Sequence, residues 1–272
     1  MLARTFTASL LIPAIIFSIL WAPLNIFSAI MLILISIAAY EAGTLCGLQT
    51  KILVLLYSIF TITSSTIIYL LLTRESSQIL IIIGGIFWAL NTIFLLTWKN
   101  PIESKSGIFP LMLFLNWVSF VIAWISMLEL YKFNENGAYL LLSLFILIWL
   151  VDSSAFFAGR SFGTNKLAPT ISPNKTWEGV LGSLVSALIF SLIFNYMGLL
   201  PISIYGVFLI VFCVTMCSIG GDLFESFLKR KRKVKDSGNI LPGHGGFLDR
   251  IDSILSALPV FASGIIISEW FL

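Results

Sequence analysis

A hydrophobic stretch at residues 79–98 reads Ile79-Leu-Ile-Ile-Ile-Gly-Gly-Ile-Phe-Trp-Ala-Leu-Asn-Thr-Ile-Phe-Leu-Leu-Thr-Trp98 and contains no charged side chain. About 20 consecutive apolar residues are enough for a helix to cross the hydrocarbon core of a bilayer. Runs of this kind recur along nearly the whole chain. The sequence therefore predicts a polytopic membrane protein.

The composition of the whole chain agrees with this prediction. Of its 272 residues, 58% are hydrophobic and only 11% are charged, and the mean hydropathy is +1.02. Soluble domains carry about 25% charged residues, so this chain has too little charge to cover a surface that faces water. The composition excludes a soluble enzyme, a disordered chain and a fibrous repeat. A net charge of +3 is too small to indicate nucleic acid as a partner.

The apolar runs divide into nine candidate spans. They are long and continuous, which indicates helices and not the alternating strands of a barrel. The first run is interpreted as a span and not a signal peptide, because it lacks a small-x-small cleavage site and leads directly into the next run. The predicted fold is an all-α bundle with spans at about 8–22, 24–46, 52–72, 79–98, 108–130, 138–158, 178–197, 204–228 and 254–271.

Basic residues lie almost entirely on one side of this arrangement. Of the 16 lysines and arginines, all but Arg74 and Lys132 fall on the side of the N-terminus. Because cytoplasmic loops carry an excess of Lys and Arg, we expect a cytoplasmic N-terminus and a multi-pass location in the inner (cytoplasmic) cell membrane. The long polar loops 159–177 and 229–253 then face the cytoplasm together.

We expect the chain to have two functional parts. Residues 1–130 form N-terminal transmembrane helices for packing and lipid contact, with no motif of their own. Residues 131–272 form a catalytic transmembrane region that carries both cytoplasmic loops.

Five acidic residues mark the candidate site. Asp152, Asp222, Asp249 and Asp252, with Glu41, approach one membrane face from different helices, and acids inside spans are costly and usually functional. In the absence of a Cys or His cluster, they suit a hard cation, Mg²⁺ before Zn²⁺, which indicates phosphoryl or nucleotidyl transfer. The alternative is a structural ion pair for each acid, or a favourable helix N-terminal charge at Asp249 and Asp252.

The second long loop offers basic side chains and glycines to a phosphate. The run from Lys229 to Lys235 contains six basic residues, which either bind phosphate or anchor the protein on anionic headgroups. The glycines at 243, 245 and 246 would let backbone N–H groups approach an anion closely, or they form a plain turn.

The first long loop contains Ser172-Pro-Asn-Lys-Thr-Trp-Glu-Gly179. This stretch predicts a turn at Pro173 and a helix capped by Thr176. Lys175 and Arg160 would hold phosphate oxygens. A capped re-entry into the membrane without substrate contact is the alternative.

A stretch of 27 residues contains Ser226-Phe-Leu-Lys-Arg, Lys235-Asp-Ser-Gly and Leu241-Pro-Gly-His-Gly-Gly-Phe-Leu-Asp-Arg-Ile-Asp252. This stretch resembles the signature of the phosphatidate cytidylyltransferases, the CDP-diacylglycerol synthases. The segments around Asp152 and Ser172 are also similar to that family. Asn174 departs from it, since many members have a second lysine there.

The resemblance implies a multi-pass enzyme that condenses CTP with phosphatidic acid to CDP-diacylglycerol and pyrophosphate. It also implies Mg²⁺, a monovalent cation such as K⁺, and a homodimer. Metal binding is expected at Asp222 and Asp249, with Asp252 and Asp152 as additional ligands. The expected catalytic residues are Asp222, Asp249, Lys235, His244 and Arg250, and the expected substrate-binding residues are Lys229, Arg230, Arg160, Ser172, Lys175, Thr176, Gly245 and Gly246.

Two other classes of function compete with this one, a different membrane phosphotransferase and a transporter. A CDP-alcohol phosphotransferase would carry a run centred on Asp-Gly-x2-Ala-Arg, which the sequence lacks, and a polyprenyl-phosphate sugar-phosphate transferase is a related alternative. A transporter would place its acids near the bilayer midplane and would show repeated halves. The acids here cluster at one face, and the sequence has no evident internal repeat.

Overall fold

The computed structural model describes residues 2–102, 107–199, 202–241 and 245–270, with the backbone alone for residues 2–11 and 270. The described chain forms nine helices and one small β-hairpin. In order, they are α1 (Leu2–Trp21), α2 (Leu24–Leu45), α3 (Lys51–Leu71), α4 (Arg74–Thr97), α5 (Pro110–Lys132), α6 (Gly137–Phe162), β1 (Lys166–Ala168), β2 (Ser172–Thr176), α7 (Trp177–Met197), α8 (Ile204–Arg232) and α9 (Leu248–Trp270).

The nine helices coincide with the nine predicted spans. Eight helices of the described chain are long and apolar enough to cross a membrane. In α1, the part with described side chains, Ile12–Trp21, is a shorter apolar helix. The all-α polytopic fold class is confirmed. Cys46, Cys213 and Cys217 are all free thiols.

Three helices extend further than the hydrophobic pattern indicated. Helix α6 continues to Phe162, α8 continues to Arg232, and α9 begins at Leu248 instead of near residue 254. The 29 residues of α8 correspond to about 43 Å of helix, which is longer than the roughly 30 Å hydrocarbon core of a bilayer. Polar residues at these ends can therefore stay helical outside the hydrocarbon, where hydropathy no longer marks them.

Large apolar side chains cover the outside of the bundle. On α4, Leu90, Ile93 and Phe94 are each more than half exposed. Water would oppose such exposure, but lipid tails are as apolar as these side chains. The outer surface is therefore the one expected of a protein that lies in a bilayer.

Helix α8 packs closely against α4, α7 and α9. A Cβ atom at Gly220 would overlap the side chain of Thr92, and one at Gly221 would overlap the backbone oxygen of Asp252 and the hydroxyl of Ser256. Only glycine permits an approach this close. Gly221 thus brings the part of α8 that carries Asp222 directly against the start of α9, and Gly220 brings it against α4.

The hairpin between α6 and α7 was not predicted. Strands β1 and β2 pair antiparallel, with Ala168 opposite Ser172, and the turn between them is closed by the Ile171 N–H donating to the Ala168 oxygen at 3.1 Å. The prediction of a turn at Pro173 is wrong, because Pro173 lies inside β2. A proline is tolerated there because a strand of a two-stranded sheet has one unpaired edge. The cap is confirmed: the Thr176 hydroxyl accepts a hydrogen bond from the Gly179 N–H at 3.2 Å.

Candidate functional site

A cavity of about 800 Å³ lies at the end of the bundle where α6 and α8 finish and α9 begins. All four predicted metal-binding aspartates, Asp152, Asp222, Asp249 and Asp252, line it. They come from three helices, α6, α8 and α9. The structure therefore brings the predicted carboxylates to one site.

Four basic side chains line the same cavity. Arg160 comes from α6, Lys175 from β2, Lys229 from α8 and Arg250 from α9. Thr176 also contributes to the wall. Basic and acidic side chains thus line the same cavity. This arrangement suits a ligand with several phosphates together with a metal ion.

Asp222 is paired with a lysine from the hairpin. The Lys175 Nζ lies 2.7 Å from the Asp222 Oδ2, and both side chains are partly exposed, at 24% and 34%. The Ser226 hydroxyl donates to the other carboxylate oxygen at 3.2 Å. The hairpin therefore positions Lys175 beside Asp222 of α8.

Asp249 organises the loop that precedes α9. Its Oδ1 accepts a hydrogen bond from the Lys229 Nζ at 2.7 Å. Its Oδ2 accepts from the backbone N–H groups of Ser237 and Gly246, each at 2.9 Å. Asp249 thus forms a structural ion pair with Lys229, which was one of the alternatives considered from the sequence. It also lines the cavity.

Glu225 had no predicted role, but the structure places it beside Lys229 of the cavity wall. Its side chain is only 3% exposed, and the Lys229 Nζ lies 3.5 Å from its Oε1. Neither carboxylate oxygen has a hydrogen-bond partner among the described residues. The signal that could have identified it is an acid inside a span, three residues after Asp222.

Glu41 reaches the site from the N-terminal part of the chain. It is 2% exposed, and its Oε2 accepts hydrogen bonds from the Ser237 hydroxyl at 3.0 Å and the Leu248 N–H at 2.8 Å. It does not line the cavity. Helix α2 therefore supports the loop between α8 and α9, a role beyond the packing and lipid contact expected of residues 1–130.

Other predicted residues lie around the cavity without lining it. The Arg230 Nε donates to the Ile171 oxygen at 3.1 Å, which ties α8 to the hairpin. Ser172 pairs with Ala168 in the hairpin. Lys235 is exposed in the loop after α8. The substrate binding expected of Arg230 and Ser172 and the catalytic role expected of Lys235 stay predictions.

The glycines of the signature support the loop itself. The Gly245 oxygen accepts a hydrogen bond from the Leu241 N–H at 3.0 Å, and Gly245 has a φ of 83°, which favours glycine. The Gly246 N–H that was expected to face a phosphate donates to Asp249 instead. The predicted role of His244 falls outside the described residues.

The carboxylates of the cavity fit a Mg²⁺ ion that shares its coordination with a substrate. Asp152 and Asp252 have no ion-pair partner among the described residues, and Asp222 lies on the same wall. Within the described ranges, no three Asp, Glu, His or Cys side chains are already arranged as a metal site. Mg²⁺ does not require one, because it usually takes one or two carboxylates and completes its shell with water and phosphate oxygens.

Known proteins resemble this chain along nearly its whole length. The model of the "Cytidylyltransferase family" matches residues 2–267. The phosphatidate cytidylyltransferase of Pseudomonas aeruginosa is 32% identical over 273 residues, which cover 98% of this chain and 97% of that protein. The Haemophilus influenzae protein of that name is 36% identical over 198 residues (70% and 69%), and the one from Bacillus subtilis is 46% identical over 132 residues (48% and 49%).

Proposed function

This chain belongs to the cytidylyltransferase family, and we propose that its aspartate-lined cavity transfers the cytidylyl group of CTP to phosphatidic acid. The products are CDP-diacylglycerol and pyrophosphate, so the protein is a transferase of phospholipid biosynthesis. One observation carries the assignment of the site: four aspartates and four basic side chains line one cavity at the end of an apolar helical bundle.

The transfer needs little acid–base chemistry from the protein. An ionised oxygen of the phosphatidic acid phosphate forms a bond to the α-phosphorus of CTP, and the bond from that phosphorus to the β-phosphate bridging oxygen breaks. Pyrophosphate leaves with the electron pair. The main obstacle is repulsion between two polyanions, which positioning and electrostatic stabilisation address. Lys175, Lys229, Arg160 and Arg250 supply the positive charge around the reacting phosphates.

Mg²⁺ would be held by Asp222 together with Asp152 and Asp252, with Asp249 as a further ligand. When bound, it would neutralise phosphate charge and orient CTP. A monovalent cation such as K⁺ in the same acidic region is part of this proposal. Chelation with EDTA should abolish turnover, and replacement of K⁺ by a large organic cation should lower it.

The acyl chains of phosphatidic acid enter the cavity sideways from the bilayer. Phe156, Val180 and Ile219 are among the apolar side chains that line the cavity beside the charged residues. Phe156 is 60% exposed, which supports an opening towards lipid. The headgroup would then meet CTP at the membrane surface while its tails stay in the hydrocarbon.

The cavity faces the cytoplasm in this proposal, and the protein lies in the inner (cytoplasmic) membrane. The exposed Lys51 and Lys99 lie at the same end of the bundle as the cavity, as expected of the cytoplasmic side. A homodimer is the proposed assembly. Labelling of single cysteines introduced at positions 51 and 135 in intact cells would test the orientation, and native mass spectrometry would test the dimer.

The activity is tested by pyrophosphate release from the purified full chain in detergent with CTP and Mg²⁺. Release should require phosphatidic acid and should stop in Asp222→Asn, whereas the matched exposed variant Glu135→Gln should behave as the wild type. Pyrophosphate release that is independent of phosphatidic acid would contradict the proposal. So would a lack of turnover with CTP combined with phosphotransfer from CDP-diacylglycerol to an alcohol.

A further inference from the structure

A second cavity, of about 480 Å³, lies at the opposite end of the helical bundle. It is bounded by the α3–α4 connection and by the C-terminal ends of α5 and α9. On α9, Asp252 lines the first cavity and Ile265 lines the second. Thirteen residues separate them, which corresponds to about 20 Å along a helix. The two cavities are therefore separate sites near opposite membrane faces.

Two basic residues from different helices meet at this second cavity. Arg74 opens α4, Lys132 closes α5, and both line the wall. They are the same two residues that fall on the far side of the membrane from the other 14 lysines and arginines. Both basic residues that the sequence places on this side of the membrane therefore lie at one cavity.

Both cations keep donors available for a ligand. The Lys132 Nζ donates to the Tyr69 hydroxyl and lies 4.8 Å from the centre of the Tyr69 ring, which holds it at the cavity. The Arg74 Nη2 lies 3.8 Å from the Glu269 Oε2, and its side chain is 73% exposed. This separation is too long for a hydrogen bond, so the planar guanidinium can bind two phosphate oxygens.

A carboxylate stands beside these cations. Glu129 lines the cavity and is partly buried, three residues before Lys132 on the same helix. Lys132 and Arg74 attract its charge, but no residue of the described ranges forms a hydrogen bond or a close ion pair with it. A carboxylate can accept hydrogen bonds from a primary ammonium. The polar part of the cavity therefore matches a zwitterion with one phosphate and one ammonium.

The remaining wall is apolar and reaches the outside of the bundle. Leu70, Leu72, Phe133 and Ile265 are among its residues, and Leu70 is 76% exposed. The volume falls within the range of about 300–1,000 Å³ that is usual for small-ligand sites. An apolar rim beside a charged centre suits the glycerol backbone and the first acyl carbons of a lipid.

We propose that this second cavity binds a zwitterionic glycerophospholipid with a primary ammonium headgroup, from the leaflet opposite the aspartate-lined cavity. Arg74 and Lys132 hold its phosphate, and Glu129 holds its ammonium. The site is distinct from the proposed catalytic cavity and does not depend on its chemistry. The bound lipid joins α3, α4, α5 and α9 at the end of the bundle away from that cavity.

Native mass spectrometry of the purified full chain tests this site. Diacyl phosphatidylethanolamine, phosphatidylcholine and phosphatidylglycerol are titrated separately. The wild type should bind phosphatidylethanolamine most tightly. The double variant Arg74→Gln/Lys132→Gln should bind it at least about tenfold more weakly, a change of about 1.4 kcal/mol. Glu129→Gln should reduce binding of phosphatidylethanolamine to the level of phosphatidylcholine, which has no ammonium hydrogens to donate.

The matched control is Lys51→Gln/Lys99→Gln, which removes two exposed lysines from the other end of the bundle and should bind as the wild type does. Equal losses in the control and in Arg74→Gln/Lys132→Gln would overturn the proposal, as would wild-type binding by the latter. Soluble glycerophosphoethanolamine and inorganic phosphate are tested alongside. If either competes as well as the diacyl lipid, the ligand is a soluble phosphate compound and the lipid assignment is wrong. Turnover with CTP, measured on every variant, verifies that each is folded.

Discussion

The Glu41 Oε2 accepts a hydrogen bond from the Ser237 hydroxyl at 3.0 Å, although 196 positions separate the two residues. The same oxygen accepts from the Leu248 N–H, which begins α9. Asp249 accepts from the Ser237 N–H on the other side of the loop. Two carboxylates, one from each half of the chain, therefore hold the loop that leads into the proposed catalytic cavity.

Two substitutions of Glu41 can distinguish the effect of its negative charge from the effect of its hydrogen bonds. Glu41→Ala leaves the Ser237 hydroxyl and the Leu248 N–H without their partner in a buried position, which costs about 1–3 kcal/mol for each unsatisfied group. We expect a lower unfolding temperature and a loss of turnover of about tenfold or more. Glu41→Gln keeps an acceptor oxygen and should retain most of the turnover. Equal loss in both variants would show that the negative charge, and not the hydrogen bonds, matters.

Gly246→Ala should disrupt the same loop by steric overlap. The added Cβ would lie 2.6 Å from the Glu41 Oε2 and 2.7 Å from the Gly238 nitrogen, and it would overlap the Ser237 hydroxyl. We expect turnover to fall by about tenfold or more, since overpacking usually costs about 1–3 kcal/mol. Gly206→Ala is the control, because its nearest neighbour would be 3.7 Å away. Turnover of Gly246→Ala equal to that of the control would contradict the structure of this loop.

Lys175→Met should weaken CTP use through the proposed catalytic cavity. The variant removes a cation 2.7 Å from Asp222 and leaves that carboxylate uncompensated. We expect a higher KM for CTP and a turnover about 10- to 100-fold lower, as is usual when one member of a close charge pair is removed. Lys166→Met removes an exposed lysine from β1 of the same hairpin and should change both constants little. Similar constants for the two variants would exclude Lys175 from the site.

Asp222→Asn and Asp249→Asn should both abolish most turnover but differ in stability. Asp222 has one lysine and one hydroxyl as partners, whereas Asp249 accepts from a lysine and from two backbone N–H groups of the loop. Loss of the Asp249 charge should therefore lower the unfolding temperature more than loss of the Asp222 charge, although both variants fold. Unfolding in detergent, followed by tryptophan fluorescence, measures this difference. Full turnover by purified Asp222→Asn would refute its assignment as a metal ligand.

The helices were predictable because the bilayer imposes a simple rule on the sequence. Every backbone group in the hydrocarbon must be paired within the chain, so a long apolar run has to be a helix. The nine apolar runs accordingly became nine helices. The cap at Thr176 was predictable for a similar local reason, because its hydroxyl satisfies an N–H group at the start of α7.

The helix ends and the hairpin were not predictable in this way. Outside the hydrocarbon, hydropathy no longer separates helix from loop, so Leu248 could not be identified as the start of α9. Pro173 is a common turn residue, yet the pairing of Ala168 with Ser172 places it in a strand. Contacts between segments decided these positions.

The sequence by itself determined the fold class and the acids that would be expensive to bury. Those properties depend on composition and on the spacing of apolar residues, which act locally. Only the tertiary structure decided how the acids are used: Asp222 pairs with Lys175, Asp249 holds the loop, and Glu41 supports it from α2. Such partnerships depend on which helix surfaces meet. The close packing of α8 on α9 at Gly221 sets that geometry, and no local pattern encodes it.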